Sequence, residues 1–346
     1  MVMETKKHYI AYMDILGYSD YIEKNPDKAN NFLQVVAEAI DKVKKNVFYI
    51  SKIGKNGFKA DIEIKCKTFS DNILLCMEVT ENSNEISRII PFLISVASIQ
   101  KGLVIEHELL IRGGITIGEL YIDNDLVFGK GLIDAVRLEH QAENPCIIVS
   151  QDLQNHIEKL IDINDEGYKI IKRYVDTVAN KARPSEEDEQ YYLTNGEKYF
   201  KGVFYYQSVR ELIIHYEQEI PFLNYLFDMS DRRLFGNDFT DFMISERAKN
   251  KEKFTDIVVC MDNVSQIIFE HREVLAKRIK TYCNYENIEK IDTKQVLERE
   301  KVIRKHIWVL RYHNSICQRY GLKSLVLPHQ YGCDMNNLRT IVKVDI

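Results

Sequence analysis

Two stretches of this chain end a strand-like apolar run on an aspartate. They are Ala11-Tyr12-Met13-Asp14-Ile15-Leu16-Gly17-Tyr18-Ser19 and Lys67-Thr68-Phe69-Ser70-Asp71. Tyr9 to Met13 precede Asp14, and Ile62, Ile64, Cys66 and Thr68 alternate with charged residues before Asp71. A carboxylate just beyond a buried strand is held rigidly yet faces solvent. That placement suits hard-oxygen ligation of Mg²⁺ or Mn²⁺. Taken singly, Asp14 also reads as a turn or helix-cap residue and Asp71 as a hairpin-turn residue. The pair, with the motifs downstream, points to a metal site.

The elements that must hold these residues follow from hydrophobic period. Residues 8–14 read as a first strand, turned around Gly17. Phe32, Val35, Val36, Ala39, Ile40 and Val43 recur at helical spacing over 27–48. Gly54 to Gly57 marks a loop. Residues 61–68 alternate as a half-buried strand, and Ile73 to Val79 is its partner, so a hairpin carries Asp71 at its tip. A helix over 85–106 follows. A strand from Leu109 to Leu120 comes next, interrupted at Gly113-Gly114, and then a turn at Asp123-Asn124-Asp125. Gly129 to Ala142 reads as a helix with Leu132, Ala135, Val136 and Leu138 inward. Ile147 to Val149 is a short strand, and Ser150 caps another helix.

This β-α-β-β-α-β order is the split βαβ arrangement, a ferredoxin-like antiparallel sheet in an α+β protein. The first strand exits toward a helix N-terminus, where the N–H groups of Ile15, Leu16, Gly17 and Tyr18 can cradle phosphate. Further on, 183–189 reads as a solvated loop, with Tyr191-Tyr192-Leu193, 199–206 and 221–226 as strands. Residues 254–280 and 294–320 read as long amphipathic helices. The expected domains are 1–227 and a helical C-terminal extension, 228–346.

Composition narrows the class. At 346 residues, 45% hydrophobic and 29% charged, the chain is an ordinary globular one. A formal charge of −5 offers no basic field for nucleic acid or an anionic membrane. The seven cysteines form no CxxC pair and mostly sit in apolar runs, which reads as free buried thiols rather than disulfides or zinc ligands. The N-terminus lacks a signal-peptide core, and the longest apolar run, Ile89 to Ile99, is too short to span a bilayer. A cytoplasmic protein is expected.

Three more signatures follow the aspartates: Arg112-Gly113-Gly114-Ile115-Thr116-Ile117-Gly118, then Phe128-Gly129 with Ala135-Val136-Arg137-Leu138-Glu139, then Pro145-Cys146-Ile147-Ile148-Val149-Ser150. In this order the motifs over residues 8–150 resemble the catalytic domain of the class III nucleotidyl cyclases. The resemblance implies two divalent ions, Mn²⁺ or Mg²⁺, at Asp14, Ile15 and Asp71. It implies that Arg137 stabilises the α-phosphate and that Lys67 reads the base. It implies a homodimer in which Asp14 and Asp71 come from one chain and Lys67 and Arg137 from the other. The reaction would be attack of a nucleoside triphosphate's 3′-hydroxyl on its own α-phosphate, releasing pyrophosphate.

Two departures bear on the base. The purine cyclases carry Asn four residues before the arginine, here Ile133, and a polar residue three before the helix-opening glycine, here Leu126. With the helical extension, this looks most like the bacterial pyrimidine cyclases of the Pycsar anti-phage system. Those make cyclic CMP or cyclic UMP, which activates a separate effector. The alternatives are a purine cyclase and a cyclase-like module that has lost catalysis. A diguanylate cyclase or polymerase palm would want a Gly-Gly-Asp/Glu-Glu-Phe hairpin, which Ser70-Asp71-Asn72 does not match.

Other residues read as structural. Arg137 can alternatively pair with Glu139 or Glu143. His306 and His313, seven apart on one helix face, read as structural histidines rather than a metal pair. Trp308 reads as a core anchor.

Overall fold

The computed structural model describes residues 4–24, 34–41, 63–80, 85–160, 166–179, 182–195, 211–216, 220–227, 263–283 and 293–326, with 26 and 209 singly. Two compact units emerge. One is Met1–Leu103 with Leu109–Met261, and the other is Val104–Glu108 with Asp262–Ile346. The expected boundary at 227/228 differs from this division at Val104–Glu108 and over 228–261, the latter lying outside the described residues.

The first unit is built on a mixed sheet. Strand β1 (Lys6–Ile15) is central. It pairs antiparallel with β3 (Asn72–Glu78) on one side and with β4 (Ile111–Ile122) on the other. Strand β2 (Lys65–Phe69) lies beyond β3, also antiparallel. On the opposite flank β6 (Ile147–Val149) runs parallel to β4, followed by β8 (Phe222–Leu223) and β7 (Ile213–Ile214). Strand β5 (Val127–Phe128) folds back on the end of β4. The wholly antiparallel sheet expected from sequence is therefore corrected. Strands β4 and β6 are joined through a crossover helix, which forces them parallel.

Helices cover both faces. They are α1 (Tyr18–Lys24), α2 (Glu85–His107), α3 (Lys130–Gln141), α4 (Gln151–Leu160) and α5 (Glu166–Ala179). Alternation along the strands sorts the core. Ile10, Leu74, Cys76, Leu120 and Ile122 pack with Ala135 of α3, flanked by Tyr12, Val127 and Leu132. On the other face Tyr9 meets Phe92 of α2, with ring centroids 6.0 Å apart. The buried Tyr9 hydroxyl is satisfied by His156 of α4 at 2.9 Å. Each such fully buried large side chain contributes about 1.5–3 kcal/mol.

Helix α2 corrects the length estimate made from Ile89 to Ile99. Its stretch Arg88–His107 is long and apolar enough to cross a membrane, yet most of it is buried within the protein. Ile89, Phe92, Leu93 and Val96 are core residues. Burial against the sheet accounts for its apolarity.

Four further expectations are revised. Strand β4 runs unbroken through Gly113 and Gly114, which stay in register with Met13 and Tyr12. Residues 186–195 are helical, where a loop and then a strand were expected. Ser185 explains this: its hydroxyl accepts the Asp188 N–H at 3.1 Å, and its carbonyl accepts the Glu189 N–H at 3.0 Å. It is an N-cap followed by four acidic residues, Glu186 to Glu189, that complement the helix dipole. Asp188, no longer a solvated loop residue, is buried and takes a hydrogen bond from Arg173 Nε at 2.7 Å. The strand expected over 221–226 is reduced to Phe222–Leu223.

The helix expected over 27–48 is described only at 34–41, with Val36 and Ala39 buried. Its remainder, the loop at 54–57 and the strand at 199–206 lie outside the described residues. Ser150 caps α4 as expected, accepting the Leu153 N–H at 3.1 Å.

The second unit centres on α6 (Asn263–Cys283) and α7 (Thr293–Arg319). Ile268, Leu275, Ile303, Ile307, Leu310 and Ile316 are buried between them and their surroundings. Trp308 is buried and stacks on Tyr312. His313 does not pair with His306. It meets His271 of α6 at 2.9 Å and the Ser324 carbonyl at 2.8 Å. Among the described cysteines, Cys66, Cys76, Cys146 and Cys317 are free thiols. Burial pushes the Cys76 thiol up to about 12, which makes it inert.

Candidate active site

The site begins where β1 ends. Asp14 stands opposite Asn72 of β3 and opposite Arg112 of β4. Just beyond, the Ile15 N–H donates to the Asp71 carbonyl at 3.0 Å, and the Leu16 N–H to the Leu110 carbonyl at 2.9 Å. The first of these bonds ties the β2–β3 hairpin tip to the end of β1. It thereby holds Asp71 beside Asp14. Asn72 Nδ2 donates to Asp71 Oδ1 at 3.1 Å. Ser70 takes φ 56°, a left-handed conformation that a non-glycine residue adopts at a cost of about 1 kcal/mol. The tight hairpin is thus closed by main-chain geometry and carries Asp71 at a fixed place.

These bonds also revise the phosphate cradle. The N–H groups of Ile15 and Leu16 already donate to main-chain carbonyls. Gly17, at φ 79°, then turns the chain into α1.

Arg112, read from sequence only as part of a strand motif, and Glu139, read only as a possible partner of Arg137, also enter the site. Arg112 Nε lies 3.2 Å from Asp14 Oδ2 and 2.6 Å from Glu139 Oε1. The first contact is a hydrogen bond. The second lies off the N–H direction, so it is an ion pair without a formed hydrogen bond. The Glu139 side chain is 3% exposed, which makes it the most enclosed charge of the group. Burial pushes its carboxyl up and Arg112 pulls it back; Asp14 pushes it up again, the His140 ring 3.2 Å from Oε2 pulls it down, and Asp71 adds a last push upward. Tyr12 is raised by burial and then by Glu139, Asp14 and Asp71. Three carboxylates and one guanidinium therefore share one electrostatic neighbourhood. The signal for Glu139 was positional: it lies four residues after the inward Ala135.

Helix α3 reaches this position because glycines clear its path. A methyl group on Gly114 would meet Leu138 Cβ at 2.3 Å and the Ala135 carbonyl oxygen at 2.6 Å. Gly118 and Gly131 face each other, and a methyl on Gly118 would lie 2.8 Å from Gly131 Cα. Two motifs read from sequence, one on β4 and one on α3, are thus the two sides of one close contact.

Arg137 is two residues from both Ala135 and Glu139, which places it on the opposite side of α3 from the sheet. Its side chain is 69% exposed, and Nη1 lies 3.4 Å from Asp134 Oδ1. The pairing with Glu139 or Glu143 weighed from sequence is not the one found. Ile133, one turn earlier on the same outer face, is exposed, as are Leu126 and Phe128. Lys67 stands in register with Leu74 and, through it, Tyr12. That puts it on the Asp14 face of the sheet but two strands away, roughly 10 Å. Its ammonium donates to the Asn124 carbonyl. Asp123 orders that turn, accepting the N–H groups of Asp125 at 2.8 Å and Leu126 at 2.7 Å and the Tyr121 hydroxyl at 2.6 Å.

The donor set suits a hard divalent ion. Asp14 and Asp71 supply carboxylate oxygens, with the Ile15 main chain between them. Among the described residues no group of three or more His, Cys, Asp or Glu side chains is placed to hold a metal. Two carboxylates fit Mg²⁺ or Mn²⁺, which complete their shells with water and substrate phosphate. They do not fit a closed zinc site.

No protein-family model and no curated protein matches the chain. Solved structures similar to it include the adenylyl cyclase CyaB from P. aeruginosa, at 16% identity and TM-score 0.33, covering 48% of this chain and 84% of that one. An adenylate/guanylate cyclase/hydrolase from Silicibacter pomeroyi is 22% identical, with TM-score 0.31, over 47% of this chain and 83% of that one. A class III adenylyl cyclase-like ATP-binding protein from Pseudomonas aeruginosa is 10% identical, with TM-score 0.29, over 44% and 34%.

Proposed function

We propose that the chain is a nucleotidyl cyclase that converts CTP to cyclic CMP or UTP to cyclic UMP with release of pyrophosphate. The observation that carries this reading is the bond from the Ile15 N–H to the Asp71 carbonyl. It brings together two aspartates that the sequence places 57 positions apart, at the end of the central strand. The strand order β2-β3-β1-β4, antiparallel throughout, supports the ferredoxin-like core. Residues 1–227 are the catalytic domain in this reading and 228–346 the helical extension.

Each residue then has a task. Asp14 and Asp71, with the Ile15 main chain, hold two divalent ions, Mn²⁺ or Mg²⁺. The ions, when bound, polarise the 3′-hydroxyl and neutralise the triphosphate. Gly17 and Tyr18 offer main-chain contact to phosphate. Arg137 points away from its own Asp14, so it serves the α-phosphate held by a second copy. The exposed Leu126, Phe128 and Ile133 near it support a homodimer contact on this side. Lys67 reads the base. Leu126 and Ile133 stand where purine selection needs polar groups, which favours a pyrimidine. The setting is cytoplasmic, in anti-phage defence, with the cyclic nucleotide acting on a separate effector.

The test is competition of all four nucleoside triphosphates with Mn²⁺, with products identified by mass. A pyrimidine product at least about tenfold in excess is expected from the loss of one charged base contact. Cyclic AMP or cyclic GMP as the main product would replace the pyrimidine reading with the purine one. No cyclic product at all would favour a catalytically silent module.

A further inference from the structure

Arg112 sits between two carboxylates of different character. Asp14 is at the strand end and partly open, while Glu139 is sealed beneath α3. A guanidinium in hydrogen-bond contact with Asp14 occupies an oxygen that a cation needs. A cation arriving at Asp14 also repels the guanidinium. In an open site the displaced arginine would swing into water. Here Glu139 Oε1 is already 2.6 Å from the same Nε, but off its N–H direction. A small rotation of the guanidinium away from Asp14 would turn that ionic contact into a hydrogen bond.

We propose that Arg112 and Glu139 form an exchange pair that sets the metal affinity of Asp14. Arg112 bridges both carboxylates before the ion binds and is held by Glu139 alone afterwards. Glu139 is a positioning residue, acting through Arg112 and not on substrate. The inference rests on the metal role of Asp14 proposed above.

Three observations carry it. The two contacts use one nitrogen, so they compete for its single hydrogen. Glu139 is fixed from behind, because α3 is pressed on β4 with no side chain between Gly118 and Gly131. Arg112 is fixed from below, being in register with Asp14 on the neighbouring strand. The charge balance is also favourable. Without Arg112 the buried Glu139 would keep only the His140 ring, 3.2 Å from its Oε2, and without Glu139 the arginine would stay on Asp14.

The experiment is a Mn²⁺ titration of the full chain followed by the electron paramagnetic resonance signal of free Mn²⁺, with no nucleotide present. Glu139→Gln should weaken binding about tenfold, the worth of one charge-assisted contact left in place on Asp14. Glu139→Asp keeps the charge but withdraws it by one methylene, and should weaken binding in the same direction. Arg112→Gln should bind Mn²⁺ more tightly than the wild type. The double variant Arg112→Gln/Glu139→Gln should recover at least the wild-type affinity. Thermal melts establish that each variant is folded, and Arg112→Gln provides the decisive comparison if the Glu139 variants are not. Unchanged affinity in Glu139→Asp and Arg112→Gln overturns the exchange pair and leaves the cyclase reading intact. Absence of Mn²⁺ binding in the wild type overturns both.

Discussion

At the residue scale the proposed chemistry rests on Asp14 and Asp71, both partly accessible and both at strand ends. Neither fills the core, so Asp14→Ala and Asp71→Ala should leave the melting temperature within a few degrees of wild type while cyclic nucleotide formation is lost. Asp14→Ala removes one hydrogen bond to Arg112, which keeps Glu139 as its partner, so the loss is about 1.5 kcal/mol, a few degrees in a domain of this size. Product formation at wild-type rates in either variant would remove the metal assignment. Both aspartates were legible because an apolar run ending on a carboxylate is a local pattern. Arg112 and Glu139 were not legible as a pair, since their meeting depends on strand register and on which side of α3 faces the sheet. Glutamate on an inward helix face is the trace such a pair leaves in a sequence.

At the scale of elements, β1, β3, β4 and α2 were legible from alternation or from helical spacing. The two-residue strands β5, β7 and β8 are too short to carry a period. The helix over 186–195 was missed because its acidic start imitates a solvated loop and its Tyr191-Tyr192 pair imitates a strand. In the structure Tyr192 stacks on Tyr174 of α5, with centroids 4.3 Å apart. The tightest element contact yields a prediction. A methyl on Gly131 would meet Ile10 Cδ1 at 2.3 Å and the Gly118 carbonyl carbon at 3.0 Å. Gly131→Ala should therefore destabilise the fold by about 1–3 kcal/mol through overpacking, despite the better helix propensity of alanine. A denaturation midpoint equal to or above wild type would show that the helix can retreat from the sheet.

At the scale of the whole molecule, acid should weaken both units, since burial lowers His8 and His156 in the first, but most strongly the second. Burial lowers His306 to about 3, and burial also lowers His271 and His313, each His ring hemmed in by basic neighbours or by the other ring. All three are neutral when folded, whereas the unfolded chain protonates near the ordinary value of 6.5. Falling pH therefore favours the unfolded state, starting at about 6.5 and, for His306, continuing toward 3. For His306 the slope approaches about 1.4 kcal/mol per pH unit over that range. The chain's single tryptophan, Trp308, lies in this unit and reports on it. Its fluorescence melting temperature should drop steadily between pH 6.5 and pH 5, and Phe at His306 should flatten the slope. A melting temperature independent of pH over that range would contradict the buried neutral state. A second prediction concerns assembly. Asp71→Ala and Arg137→Ala, each inactive alone, should regain part of the activity when mixed and allowed to exchange subunits. No recovery after demonstrated exchange would place the whole site within one chain.

The glycine contact between β4 and α3 reaches further than stability. With main chain against main chain at Gly118 and Gly131, the helix has no cushion of side chains on which to slide or tilt. Arg137 is thus carried on the sheet like a tooth cut into a gear, at a constant offset from the aspartates of its own chain. In the two-copy arrangement proposed above, control would have little to gain from bending either copy and would act on how the two are meshed.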